Sequence, residues 1–188
     1  MILDIKKIVE IVAYILTRND GHMDYYNLIK ECYIADRISI DKTGYAMSGD
    51  VYVSMNRGPV LKNVYLFIKN KNADLDGQQY WNRFFEVEGH KIRLVKENVS
   101  HSTLSRCDVN ILNQVCQRFY KYSYEQMKSF AHSDGVFPEW QPVNKGEEKP
   151  IQMETIMKCL NFNKKDIDIL IKEQQSYDKE KLALCSLN

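Results

Sequence analysis

The sequence predicts an α+β fold that is mainly α: a compact helical domain carrying a small antiparallel β-hairpin or sheet, followed by C-terminal helices. Three observations predict it. Apolar residues recur at helical spacing in several segments, as in Tyr25, Leu28, Ile29, Cys32 and Tyr33. Strict alternation brackets Gly89-His90, with Phe85 and Val87 before it and Ile92 and Leu94 after it, set between Glu86, Glu88 and Arg93. A chain of 188 residues that is 44% hydrophobic also holds enough apolar surface to close a core.

Taken in order, Ile8, Val9, Val12, Ile15 and Leu16 place a first helix over about residues 3–17, and Asn19-Asp20-Gly21 stops it because glycine tolerates the left-handed conformation. Asp24 caps the next helix, whose apolar face carries Leu28 and Tyr33 while Lys30, Glu31, Asp36 and Arg37 face water. Gly44 and Gly49-Asp50 then break the pattern, and Val51 and Val53 around Tyr52 predict a short strand or extended edge. Proline lacks an amide hydrogen and has a helical φ, so Pro59 is expected at the first position of a helix bearing Val60, Leu61, Val64, Tyr65 and Ile68, with Gly58 as its N-cap. The polar run from Asn70 to Gly77 predicts a loop. The hairpin around Gly89 is only marginally stable alone, so it is expected to pair with the Val51 to Val53 edge or to lie on the helices.

Ser105 opens a capping box before Val109, Leu112, Val115, Cys116 and Phe119, and Ser123 caps a short helix that stops at His132-Ser133-Asp134-Gly135. Phe137-Pro138-Glu139-Trp140 is expected to run extended, since the residue before proline avoids the helical region. From Gln141 to Lys149 the composition turns to Pro, Asn, Gly and charge. This divides the chain into a domain over 1–143 and a C-terminal helical extension over 144–188.

Composition narrows the function classes. Twenty-six basic against 25 acidic side chains leave a formal charge of +1, so no global field draws the chain to nucleic acid or to an anionic membrane. The apolar run from Ile11 to Leu16 is far shorter than the roughly 20 residues that cross a bilayer. Five widely spread cysteines, an odd number, point to free thiols in a reducing cytoplasm.

Chemistry-bearing constellations are absent from the pattern. His101, Cys107 and Cys116 lack the close pairing of a zinc site, so no metal is expected. Cys32 lies on an apolar helix face, where burial raises the thiol pKa, and Gly44, Gly49 and Gly58 are too far apart to form a phosphate loop. His132 at a helix end suits the carbonyls there, and Trp140 is expected to plug the edge of the core. No catalytic residue and no cofactor follow from the sequence. Aromatic residues nonetheless make up 11% of it, with 12 tyrosines. Tyr14, Tyr25, Tyr33 and Tyr65 fall on apolar helix faces; Tyr45, Met47, Tyr52 and Arg57 fall in the Gly-rich segment and its turn, where exposure and partner contact are expected.

The run Leu28-Ile29-Lys30-Glu31-Cys32-Tyr33-Ile34-Ala35-Asp36, followed by Gly44, Gly49-Asp50-Val51-Tyr52 and Arg57-Gly58-Pro59-Val60, resembles the core of the Panacea domain. That is the SocA-type antitoxin family of bacterial toxin–antitoxin systems and prophages. The resemblance extends to Val12-Ala13-Tyr14-Ile15-Leu16 upstream and to Leu104-Ser105, Tyr124-Glu125-Gln126-Met127, His132 and Trp140 downstream. It implies an antitoxin that neutralises a cognate protein toxin by direct binding; the lack of a credible active site makes it non-enzymatic, and the lack of an obvious basic recognition helix speaks against direct contact with nucleic acid. An adaptor that delivers the bound toxin to a protease is the alternative within that family. An enzyme using His132 or Asp36 in an unrecognised site is the alternative of another class.

Overall fold

A computed structural model describes residues 3–96 and 99–185, and among them eight helices surround or flank two three-stranded antiparallel sheets, as the α+β reading expects. Helix α1, Ile5–Arg18, is capped by Asp4, which accepts from the amides of Lys6 and Lys7, and it ends where Gly21 takes φ +79° and donates to the Leu16 carbonyl. After the short strand β1, His22–Asp24, the Asp24 carboxylate accepts from the Tyr26 amide and starts α2, Tyr25–Thr43. Helix α2 is the centre of the molecule. Leu28 and Tyr33 are fully buried, and so are Lys30, Glu31 and Asp36, which the periodicity had facing water. The pattern misassigns them because a helix packed on every side has no solvent face to give its polar residues.

The helix expected from Pro59 does not begin there. Strand β2, Tyr52–Met55, turns through Asn56-Arg57 into strand β3, Gly58–Leu61, with Ser54 opposite Pro59 and Met55 opposite Gly58. Helix α3, Lys62–Ile68, starts only after this hairpin. Val60 and Leu61 suit either period, and cross-strand pairing with Val53 and Tyr52 decides for the strand. Gly58 is therefore a hairpin residue at φ +101°, not a cap. Strand β6, Glu148–Ile151, completes the sheet in the order β3-β2-β6, so residues 144–188 supply a strand as well as helices. Pro59 and Pro150 lie on its two outer strands, where a missing amide breaks no central ladder.

Helix α4, Leu75–Asn82, cuts short the loop expected to reach Gly77, because Asp74 caps it by accepting from the Gly77 amide. The hairpin falls where alternation put it, as β4, Phe85–Glu88, and β5, Lys91–Leu94, but β5 pairs with β1 and not with the Val51 to Val53 edge. Capping boxes at Ser105 with Asp108 and at Ser123 with Gln126 open α5, Arg106–Phe119, and α6, Tyr124–Ala131. The segment after α6 is not extended: the Trp140 amide donates to the Phe137 carbonyl, closing a turn over Pro138-Glu139. Helices α7, Met153–Cys159, and α8, Lys164–Cys185, close the chain, and the Leu170 side chain of α8 lies so near Gly44 that a β-carbon there would meet it at 2.7 Å.

Helix α2 packs against α1, α3, α5, α6, α7, β1 and β3. Cys32 and Cys116 are buried, Cys159 half-buried and Cys107 exposed, all as free thiols; the Cys185 side chain lies outside what the structure describes. No helix of the described residues is long and apolar enough to cross a membrane.

Helix α3 has no side-chain cap of its own, and Asp50 supplies one from a distance. Its carboxylate accepts from the Asn63 amide and side chain at 3.0 and 2.8 Å, from the Val64 amide at 3.0 Å and from the Val51 amide at 2.6 Å. Removing this buried acceptor strands several donors at once. Asp50→Ala is expected to cost about 2 to 4 kcal/mol in urea unfolding; a loss below about 0.5 kcal/mol, the range of an ordinary surface change, would show that α3 starts without it.

Candidate functional site

The recognised motifs meet one another inside the fold. Lys30 projects from α2 toward the β2–β3 hairpin, and its ammonium donates to the Pro59 carbonyl at 2.8 Å. A β-carbon on Gly58 would stand 2.8 Å from that nitrogen, so glycine is required there for close approach as well as for its positive φ. Six residues along α2, Asp36 accepts from the Ser48 amide at 2.8 Å, the Ser48 hydroxyl at 2.5 Å and the Tyr52 hydroxyl at 2.9 Å. On a third side, Tyr33 and Arg37 both donate to Glu139 at 2.8 Å, holding the Pro138 turn to the helix. With its oxygens so occupied, Asp36 is a structural anchor.

Beside the Lys30 contact lies a cavity of about 240 Å³ between α2, the hairpin turn and α3. Tyr26, Lys30, Arg57, Tyr65 and Lys69 line it, with Lys145 and Glu147 at its far wall. The Tyr26 hydroxyl donates to the Arg57 carbonyl at 3.2 Å, and Lys69 donates to the Tyr25 hydroxyl at 2.6 Å. Cations and aromatic rings thus share one opening. Burial lowers the Lys30 ammonium from 10.5 to about 7, and burial beside Tyr124 raises the Tyr26 hydroxyl to about 12.

The residues expected to meet a partner do not form one patch. Arg57 is exposed at the hairpin turn and lines the cavity. Tyr45 is 37% exposed but belongs to a different concavity, beside α8, where its hydroxyl donates to Glu173 at 2.5 Å. Met47 and Tyr52 are buried, contrary to the exposure expected of them. The Gly-rich segment folds inward at these positions because Tyr52 belongs to the central strand of its sheet and satisfies Asp36. Val60 packs in the core. His132 caps the end of α6 and meets Trp140 edge to face at 5.4 Å, while the Trp140 indole donates to the Met55 carbonyl at 2.9 Å. Half-buried against the core, Trp140 stands at its edge, and burial together with Lys30 and Lys128 lowers the His132 pKa.

The sequence reading missed Lys30 and Glu31 as buried ionisable groups. Their one local signal is the weak segregation of polar and apolar residues around α2, which reads equally well as a poor surface helix. His101 packs edge to face on Tyr14 at 5.3 Å, and among the described residues no cluster of three or more His, Cys, Asp or Glu is placed to hold a metal ion.

A family model described as antitoxin SocA-like, Panacea domain, matches residues 28–141, more than half of the chain. No curated protein and no solved structure gave a match.

The buried charges set a pH dependence. Burial raises the Glu31 carboxyl from 4.5 to about 8 and the Asp36 carboxyl from 3.8 to about 6, so between those values the folded chain holds protons that the unfolded chain has released. Stability contributed by these groups falls as pH rises through that range. Lys30, lowered from 10.5 to about 7, acts oppositely: the unfolded chain holds the extra proton, and stability rises with pH over that window. Urea midpoints at about pH 5.5 and 7.5 are expected to be lower at 7.5, with Glu31→Gln flattening the difference. A wild-type midpoint higher at about 7.5 than at about 5.5 would contradict this.

Proposed function

We propose that this chain, which belongs to the SocA-like Panacea antitoxin family, neutralises a cognate protein toxin by binding it directly. The family match carries this reading. It supplies the toxin–antitoxin role, while the toxin's own reaction is not inherited from it. Free thiols and the absence of a membrane-spanning helix among the described residues accord with action in the cytoplasm.

The cavity at the Arg57 turn is the surface best suited to the toxin. Arg57 and Lys145 are exposed at it, Lys69 is half-exposed, and Tyr25, Tyr26 and Tyr65 provide rigid aromatic area between them. Arginine and tyrosine are the residues that anchor interfaces, and Arg57, Lys69 and Lys145, beside the buried Lys30, against the single carboxylate of Glu147 favour an acidic segment. So few cations fall short of the stripe that follows a phosphate backbone, in keeping with no direct role for nucleic acid. An interface of ordinary size, roughly 1,200 to 2,000 Å² in total, would extend well beyond the cavity. Nothing in this reading requires catalysis by the chain.

Co-expression with the toxin encoded beside it tests the proposal: growth rescued by this chain supports neutralisation, and continued toxicity despite soluble expression of both proteins argues against it. Toxin half-life separates the two modes, since rescue with unchanged turnover means occlusion and rescue with shortened turnover means delivery to a protease. Arg57 lies at an exposed turn, so Arg57→Glu should leave the fold intact and weaken toxin affinity by about tenfold or more. Undiminished affinity would move the interface away from this turn.

A further inference from the structure

A further concavity, of about 420 Å³, opens on another side of α2, between its N-terminal half and the junction of α5 with α6. Asn27 and Glu31, four residues apart and therefore on one face of the helix, are among its lining residues. Both are buried, with 4% and 1% of their surface exposed. The Asn27 side-chain nitrogen is committed to the Tyr122 carbonyl at 2.7 Å, which turns its oxygen away from that bond. That oxygen and both carboxylate oxygens of Glu31 have no hydrogen-bond partner among the described residues. Three buried acceptors are thus left without a donor among the described residues. Such groups are costly to leave unpaired, and a ligand that supplies donors recovers the cost.

The walls restrict what that ligand can be. Phe119, Tyr120, Tyr122 and Tyr124 contribute aromatic rings, and Tyr120 is half exposed at the mouth. Asp20 and Asp24 add acidic groups, and His22, Lys91 and Lys121 are the basic ones. Lys121 lies over the Tyr120 ring at 5.1 Å. An anion would meet three acceptors. A hard metal ion would need more oxygen ligands than Asn27 and Glu31 offer, since Asp24 is engaged in capping α2. An alkyl chain ending in several N–H donors matches both the aromatic walls and the unpaired acceptors.

We propose that this cleft binds an alkyl-guanidinium or alkyl-ammonium group, with its charged head on Glu31 and Asn27 and its stem between the tyrosines. The group comes either from a free amine or from an arginine or lysine side chain of a protein. The site is separate from the Arg57 cavity and can be tested on the chain alone, so its fate and that of the antitoxin reading are decided by different measurements.

The probe is agmatine, titrated calorimetrically at about pH 8.5, above the value of about 8 to which burial raises the Glu31 carboxyl. Saturable one-to-one binding is expected, weakened by about tenfold or more in Glu31→Gln and weakened also in Tyr120→Ala, whose ring is half exposed. Circular dichroism verifies that both variants fold. Absence of saturable binding to the wild-type chain, or equal binding to Glu31→Gln, would overturn the proposal. Capped arginine, N-acetyl-arginine amide, distinguishes the sources: binding of both probes assigns the site to a protein side chain, and binding of agmatine alone assigns it to a free amine.

Discussion

Burial of α2 on every side is the constraint on which the remaining structure depends. A helix enclosed by α1, α3, α5, α6, α7 and two strands must satisfy its polar side chains internally. For all but Glu31 and one atom of Asn27 among its buried carboxylate, amide and ammonium groups it does so, in three main directions: Lys30 to Pro59, Asp36 to Ser48 and Tyr52, and Tyr33 with Arg37 to Glu139. Each direction ties another segment to the helix: strand β3, the Gly-rich stretch with the start of β2, and the Pro138 turn. Buried ionic groups contribute little net stability compared with apolar replacements, but a wrong register leaves them unpaired. Their role here is therefore to select one arrangement of loops around the helix.

What could be read from the sequence was local. Asp24, Ser105 and Ser123 announced helix starts because a cap lies within three residues of the amide it satisfies. The hairpin at Gly89 was legible because alternation and turn chemistry sit side by side. What failed depended on distant partners. Pro59 suits a helix start or an outer strand equally well, and only pairing with Ser54 separates the two. Strand β1 is three residues long and has no signal apart from β5. Asp50 looks like part of a turn, and its service to α3 comes from 13 and 14 residues away.

The candidate sites divide along the same line. Met47 and Tyr52 carried an interface signature by type and neighbourhood, yet both went to the core, Tyr52 because its hydroxyl answers a carboxylate sixteen residues upstream. Arg57 remained outside because its two-residue turn projects beyond the strands it joins. Glu31 and Asn27 gave no signal at all. Their unpaired state becomes visible only when the Tyr122 carbonyl takes the amide of Asn27 and nothing takes the carboxylate.

Lys30 and Glu31 are neighbours in sequence, but about 100° of helical turn sends them to different cavities. Each is drawn toward neutrality by burial, the amine downward and the carboxyl upward, and they are not paired with each other. Lys30 is tied to a backbone carbonyl, so its ammonium already has a structural use, whereas the Glu31 carboxylate has no hydrogen-bond partner among the described residues. A residue that pairs internally explains its own presence through the fold. One that does not pair is not explained in that way, and this distinction separates the motif that identifies the scaffold from the cleft proposed to take a ligand.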